Sequence, residues 1–249
     1  MMHKQPKGLP NITQATCWWN SLLQSLIAIK AINDYDSIEM PLDSNNQQCV
    51  HEALYQIINS NGLSNEFSIK VKDSLKCLSC LKKRTIGITN TLELQVPPEQ
   101  TIIPDLIQSE ILDDVECPFE QKKTTQKKTT RYTDFSKYLI FTASAFSYTS
   151  KWKTYPTLFI SIDKKSKGVV TTFNYELLAF ILHKDSRTST GRRKKYSKNT
   201  EKYGHYFAIV KYDDQWFLCN DEEIIILSER KVDRFLSSKD IYMSFYKQY

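Results

Sequence analysis

The sequence predicts an α+β fold, with helices first and mostly antiparallel strands after them. Two observations carry this expectation. Early in the chain, apolar residues recur at helical spacing; after Cys80 they alternate with polar residues in short runs that end at turn-forming residues. The 249 residues suffice for one large domain or two small ones, with a core of ordinary size.

The first element runs from Cys17 to about Ile32, where Trp18, Leu22, Leu23, Leu26 and Ile29 mark an amphipathic helix that begins at the cysteine. A second helical pattern covers about Gln47 to Ile58, with Val50, Leu54, Ile57 and Ile58 on one face. Strand patterning follows: Ile86, Ile88, Leu92, Leu94 and Val96 alternate with polar residues until Pro97-Pro98 stops the run. Further strands are predicted at Tyr138–Ala143, Leu158–Ile162, Glu176–His183, Tyr206–Tyr212 and Gln215–Cys219, with Asp213-Asp214 as the turn between the last two. Gln121 to Arg131 is basic and Thr-rich. It reads as an exposed loop, or else as a segment that connects two strands or forms them at an edge. Lys184 to Lys202 has almost nothing apolar and reads as a second, basic loop.

Composition narrows the class. Hydrophobic residues at 41% and charged residues at 25% belong to a folded globular chain, not a disordered one. The 34 Lys+Arg against 28 Asp+Glu leave a net +6, too mild to imply nucleic-acid binding by itself. No nucleic-acid-binding motif is present. Solvated loops are the plain reading of the two basic segments, and an acidic partner or an RNA backbone is the sharper one.

Gly8 to Ile29 is 22 residues without a formal charge, long enough to span a bilayer. Its Asn11, Thr13, Gln14, Thr16, Asn20, Ser21, Gln24 and Ser25 make that reading too costly in hydrocarbon, and no small-residue cleavage site follows. With neither a membrane span nor an export signal expected, a reducing cytoplasmic or nuclear setting is the default. The six cysteines (Cys17, Cys49, Cys77, Cys80, Cys117 and Cys219) are then expected to be core residues, metal ligands or a nucleophile rather than disulfides.

The chemistry begins at Gly204-His205, which opens the apolar strand Tyr206-Phe207-Ala208-Ile209-Val210. One hairpin later, Trp216-Phe217-Leu218-Cys219-Asn220-Asp221 brings an Asn and an Asp to the same end of the paired strand. Cys17 stands at a helix start, where the positive end of the helix dipole favours a thiolate. An isolated Cys is more often a small buried hydrophobe, and an isolated His is more often structural than catalytic. Together, however, a Cys nucleophile, a His base and an Asn or Asp that orients the base form the constellation for thiol-dependent acyl transfer.

These residues also carry a family resemblance. The segment Gly8-Leu9-Pro10-Asn11 to Leu26, with Ala15-Thr16-Cys17-Trp18-Trp19-Asn20-Ser21 at its centre, resembles the cysteine box of ubiquitin-specific proteases. Tyr203 to Asp221 resembles their histidine box, including Trp216 four residues before Asn220. Gln47-Gln48-Cys49-Val50-His51-Glu52-Ala53-Leu54 is similar to the family's Gln-Gln-Asp-Ala-His-Glu-Phe-Leu helix, and Tyr175 to His183 to the strand that leads into the histidine box.

The resemblance implies one catalytic domain over 8–249, a papain-like cysteine protease fold. A helical thumb would lie at about 8–75, and an antiparallel β palm with reduced β fingers at about 76–249. It implies a Cys17–His205–Asn220 triad with Asp221 assisting or substituting, and Asn11 as an oxyanion donor shared with Gln14 or the Cys17 amide. It implies hydrolysis of the bond after the C-terminal Gly-Gly of ubiquitin, with segment 184–202 where the family has a loop over the ubiquitin tail. Catalysis would need no cofactor. Cys77-Leu78-Ser79-Cys80 resembles a first zinc knuckle, and Cys117-Pro118-Phe119-Glu120 stands where the second would be. A structural zinc would then take Cys77, Cys80, Cys117 and Glu120; the alternative is a relic held by packing.

Two departures bear on activity. Asn11 precedes Cys17 by six residues where the family has five, and Cys49 replaces an Asp that meets the basic tail of ubiquitin. The expected function is a deubiquitinase, or a protease for a ubiquitin-like modifier. The alternative is a catalytically weak ubiquitin-binding module acting within a larger assembly.

Overall fold

The computed structural model describes residues 5–11, 16–36, 38, 49–96, 107–143, 156–166, 168–184, 204–238 and 240–249. Gln14, Gln47, Gln48, Pro97-Pro98 and nearly all of the basic segment 184–202 lie outside the described residues.

Helix α1 (Cys17–Ala28) is buried on every side, not along one stripe. Its polar residues are therefore bonded within the protein, as burial demands. The Ser21 and Ser25 hydroxyls donate to the carbonyls four residues earlier, both at 2.8 Å. Gln24 donates to the Lys7 carbonyl and accepts from the Tyr35 hydroxyl at 2.6 Å. These are the side chains that argued against a membrane span, and among the described residues no helix is long and apolar enough to cross a membrane. The helix ends earlier than the periodicity predicts. Lys30 adopts φ 60°, and the Ala31 amide closes back on the Leu26 carbonyl at 2.9 Å, a left-handed C-terminal cap.

Helix α2 (Val50–Ser60) buries Val50, Ala53, Leu54, Ile57 and Ile58, the face that the sequence marks. A short turn, α3 (Ser64–Phe67), leads into the first strand. Strands β1 (Ile69–Cys77), β2 (Lys83–Thr91), β4 (Ile107–Cys117) and β5 (Lys122–Asp134) make a four-stranded antiparallel sheet in the order β2-β1-β5-β4. β1 and β4 escaped the sequence reading, and β1 falls inside the segment expected to be helical. The basic Thr-rich segment is strand β5, and it lies between two neighbours instead of at an edge. Its threonines suit a strand, and its lysines stand in adjacent pairs, Lys122-Lys123 and Lys127-Lys128, whose members point to opposite faces on either side of the buried Gln126.

The strand predicted over Ile86–Val96 is two strands in two sheets, because the Thr91 hydroxyl bonds the Glu93 carbonyl (3.0 Å) and turns the chain. The second piece, β3 (Leu94–Val96), joins an eight-stranded sheet with β6 (Tyr138–Ala143), β7 (Phe159–Ser166), β8 (Val169–Lys184), β9 (His205–Tyr212), β10 (Gln215–Asn220), β11 (Glu223–Leu227) and β12 (Ile241–Gln248). The order is β11-β10-β9-β8-β12-β6-β3, with β7 paired to β8. All pairings are antiparallel except β3 with β6. Asp213, at φ 51°, makes the β9–β10 turn where the sequence placed it.

The large sheet is covered on both faces. Ala179 and Ile181 of β8 pack with α1 and α2, whereas Phe180 and Leu182 pack on the opposite face with helix α4 (Glu229–Leu236). Burial on both faces explains why β8 and β9 read as continuous apolar runs. Each fully buried Leu or Phe here is worth about 1.5–3 kcal/mol.

Candidate active site

Three elements converge on one end of the large sheet. α1 delivers Cys17 at its first turn, β9 begins at His205, and β10 ends at Asn220. The antiparallel register, with Cys219 opposite Ala208, sets the start of β9 beside the end of β10. His205 Nε2 lies 2.6 Å from Asn220 Oδ1. An amide oxygen only accepts, so Nε2 carries the proton and Nδ1 is left to face the thiol. Hydrogen bonding to Cys17 lifts the His205 pKa to about 9; burial opposes the shift, while Asn220 and the charges of Cys17 and Asp221 favour it. These contacts favour the protonated imidazole. Cys17 is 2% exposed and the His205 side chain 43%.

Asp221 does something different from Asn220. Its nearest approach to His205 is 4.0 Å, too long for a hydrogen bond. Its two carboxylate oxygens instead accept from Asn11 Nδ2 (2.8 Å) and Asn20 Nδ2 (2.9 Å). Asn20 also donates to the Leu9 and Pro10 carbonyls at 3.3 and 3.2 Å, and the Asp221 carbonyl accepts from the Leu9 amide at 3.0 Å. Asp221 thus ties the segment before Cys17, the helix that Cys17 opens and the β10 end into one knot. Its φ of 55° is the strained turn that makes this reach possible. Asn20, unassigned in the sequence reading, is the third member. The signal that marks it is a polar amide in the first turns of a wholly buried helix, which needs a partner.

Asn11 is oriented by the same knot. Its Oδ1 accepts from the Thr16 amide (2.9 Å) and hydroxyl (3.1 Å), and one N–H of Nδ2 goes to Asp221. Thr16, the residue before the helix, gives its hydroxyl to Asn11 and makes no side-chain cap. The first-turn amides of α1 are thereby left without that partner. Close backbone approach is required at two glycines. A Cβ on Gly8 would sit 2.4 Å from the Glu222 carbonyl oxygen, and one on Gly204 would sit 2.2 Å from His183 Nε2 and 2.7 Å from the Lys184 carbonyl oxygen. Gly204→Ala must therefore displace the residue next to His205. We expect kcat of the thiol chemistry to fall about 10²-fold with a small change in KM, checked by steady-state kinetics.

Cys49 precedes α2 and its sulfur lies 3.5 Å from the Tyr242 hydroxyl. Tyr242 packs edge-on to Tyr206 at 5.7 Å, and Tyr206 stacks on His183 at 4.3 Å. Burial first, then the charges of Cys49 and Cys17, oppose ionisation of the Tyr206 hydroxyl, which is thus in electrostatic reach of both thiols. Position 49 therefore carries a thiol in contact with a tyrosine hydroxyl. Two residues on, His51 Nδ1 lies 2.9 Å from Glu93 Oε2, a carboxylate that also accepts from the Thr142 hydroxyl at 2.5 Å. This pair, buried on the Glu93 side, links α2 to the sheet, and bonding to Glu93 raises the His51 pKa.

At the far end of the four-stranded sheet, the sulfurs of Cys77, Cys80 and Cys117 lie within 4.8 Å of one another, and those of Cys80 and Cys117 are 3.8 Å apart. Two thiolates at ~2.3 Å from a tetrahedral zinc would be separated by about 3.8 Å, so this edge has the spacing that zinc needs. The Thr124 hydroxyl, bonded to Cys77, leads the effects that lower the Cys77 pKa to about 7, which favours the ligating thiolate. Glu120 lies outside the three-sulfur set. Its Oε2 is engaged by Lys122 (3.0 Å) and Ser79 (3.1 Å), contacts that lower its pKa. Three of the four expected ligands are therefore gathered, and the fourth is held by a lysine.

A family model described as ubiquitin carboxyl-terminal hydrolase matches residues 56–246. That span contains His205, Asn220 and Asp221; Cys17 and Asn11 precede it, and their place rests on the geometry above. A sequence search of curated proteins gives no match. Among solved structures, the chain is similar to one in the SAGA Ubp8/Sgf11/Sus1/Sgf73 DUB module bound to ubiquitin aldehyde, at 19% identity and TM-score 0.73, over 100% of this chain and 71% of that one. The same module bound to monoubiquitin matches at 17% and 0.73, with coverage of 100% and 71%. A yeast SAGA DUB module matches at 18% and 0.71, with coverage of 100% and 70%. At these identities the likeness is one of fold. It is papain-like, with helices packed on an antiparallel palm sheet and a smaller finger sheet beyond it.

Proposed function

This chain belongs to the ubiquitin carboxyl-terminal hydrolase family, and we propose that it is a thiol-dependent deubiquitinase acting after the C-terminal Gly-Gly of ubiquitin. The observation that carries this reading is the Asn220–His205 bond of 2.6 Å with the imidazole raised by Cys17 on its other side. In the proposed reaction, the Cys17 thiolate attacks the carbonyl carbon of the terminal glycine. The Asn11 N–H left free by Asp221 and the Cys17 amide receive the charge on the carbonyl oxygen. The His205 cation then gives its Nδ1 proton to the leaving amine, which departs and leaves a thioester on Cys17. Water, deprotonated by the now neutral His205, hydrolyses the thioester. In this reading 8–249 is one catalytic domain, with the α1–α2 region as thumb, the eight-stranded sheet as palm and the four-stranded sheet as fingers.

The test is release of a fluorophore from a ubiquitin C-terminal amide, followed with time. Hydrolysis that depends on Cys17 supports the reading. Saturable ubiquitin binding without turnover would replace it with a binding module, the role suggested by relatives that sit in a multisubunit module. Cys49 favours a weakened grip within the same reading, since this position lacks a carboxylate for a basic tail and its sulfur is in contact with Tyr242. We expect Cys49→Asp to lower KM for ubiquitin substrates several-fold with little change in kcat. A preference for a ubiquitin-like modifier with a less basic tail would show as the opposite result.

Cys77, Cys80 and Cys117 are proposed as zinc ligands, with Glu120 able to complete the site only by leaving Lys122. Bound zinc would supply a cross-link between the β1–β2 and β4–β5 hairpins and no part of the reaction. Chelation is therefore expected to lower Tm by several degrees and to release about one zinc per chain by elemental analysis. An unchanged Tm and no released metal would favour the relic reading.

A further inference from the structure

We propose that one face of the four-stranded sheet is a docking surface for an acidic, isoleucine- or leucine-bearing segment of a partner protein. The registers of β1, β2, β4 and β5 line up side chains that the sequence scatters over fifty residues. Lys83, Lys76, Lys127 and Ile111 lie directly across from one another in one lateral row. Ile88, Lys72 and Arg131 form a second row on the same face, four residues along each of β1 and β5. At the spacings of a sheet, the rows stand about 13 Å apart and the first spans roughly 14 Å. All five cations are exposed, and among the described residues none takes part in an ion pair.

The acids on this face lie at its ends. Asp134 is bound by Lys70 and Lys164, Glu116 stands opposite Lys123, and Asp113 accepts from the Thr125 hydroxyl at 2.8 Å. Like charges directly opposite on neighbouring strands destabilise a sheet. A row of three lysines therefore weakens the fold and gains nothing inside the chain, and an external anion removes that cost.

The two isoleucines decide what kind of anion. Ile111 is 57% and Ile88 61% exposed, apolar side chains set among the cations. They match a protein segment that carries both carboxylates and aliphatic side chains. A nucleic-acid backbone offers them nothing, and this face has no exposed aromatic ring on which bases would stack.

The probe is a fluorescein-labelled Glu/Leu peptide, compared by anisotropy with oligo-glutamate and with single-stranded RNA at two salt concentrations. The Glu/Leu peptide should bind tightest. Lys76→Glu with Lys127→Glu should weaken it at least ~10-fold, and Ile88→Ser with Ile111→Ser should reduce it to the level of oligo-glutamate. Lys76→Glu alone should raise Tm by about 2 °C, since it relieves both neighbours, which also establishes that the variant folds. The Cys17→Ala protein should bind the Glu/Leu peptide as tightly as the wild type, so that failure here is separable from failure of the proposed activity. RNA binding tighter than either peptide, undetectable peptide binding, or indifference to the charge reversal overturns the proposal.

Discussion

Cys17→Ala is expected to abolish hydrolysis of ubiquitin amides and adduct formation with a ubiquitin bearing a thiol-reactive C-terminus, while ubiquitin still binds. No other cysteine can take over: Cys49 is bonded to Tyr242, Cys219 is buried with its pKa pushed up to about 12 by burial, and the remaining three are gathered at the finger sheet. His205→Ala should slow the reaction by about 10²–10⁴-fold, the usual worth of a positioned acid–base group. The pH profile gives an independent reading. His205 is raised to about 9, so the imidazolium and the activity that needs it persist through neutrality and fade as pH climbs through about 9. The linkage has the same sign: any stability from the raised His is complete below its unfolded value of about 6.5 and lost by pH about 9. With the side chain 43% exposed, solvent screens that contribution, and the rate, not Tm, is the quantity to follow. An alkaline limb below pH 7.5 would contradict the thiolate–imidazolium pair.

Asn220→Ala and Asp221→Ala are expected to fail in different ways. Asn220 meets the imidazole at 2.6 Å and orients it, so its loss should lower kcat about 10²-fold and leave Tm nearly unchanged. Asp221 holds two amide side chains with charge-assisted bonds of 2.8 and 2.9 Å, each worth about 1.5–3 kcal/mol. Asp221→Ala should therefore lose roughly 3 kcal/mol of stability, a Tm drop of roughly 6–10 °C. It should also lower kcat, because Asn11 is released from its orientation. Asp221→Asn should recover part of the stability, since one amide oxygen still accepts. If Asp221→Ala leaves Tm intact and Asn220→Ala is silent in kcat, the two roles are reversed.

The legible parts of the site were those written in local pattern. Cys17 at a helix start, Gly204-His205 at a strand start and Asn220 one hairpin later are each defined by neighbours a few residues away, and the described structure has all three where that pattern puts them. The division of labour between Asn220 and Asp221 was not legible, because adjacent residues point to different sides of a strand end and only the partners distinguish them. The same holds for Glu120, whose spacing suits a metal ligand but whose carboxylate is bound by Lys122.

Of the fold, the sequence by itself determined α1, α2 and the core strands β6, β8, β9 and β10, since burial imposes a period of 3.6 or 2 on their side chains. Tertiary structure decided the finger sheet. β4 and β5 carry polar residues on exposed faces, so their periodicity is faint and their existence rests on backbone pairing with neighbours distant in sequence. It decided the break between β2 and β3, where buried Glu93 finds His51 and Thr142. It also decided the knot at Asp221, which joins residues 201 and 210 positions apart: hydrogen bonds between distant side chains leave no period in a sequence.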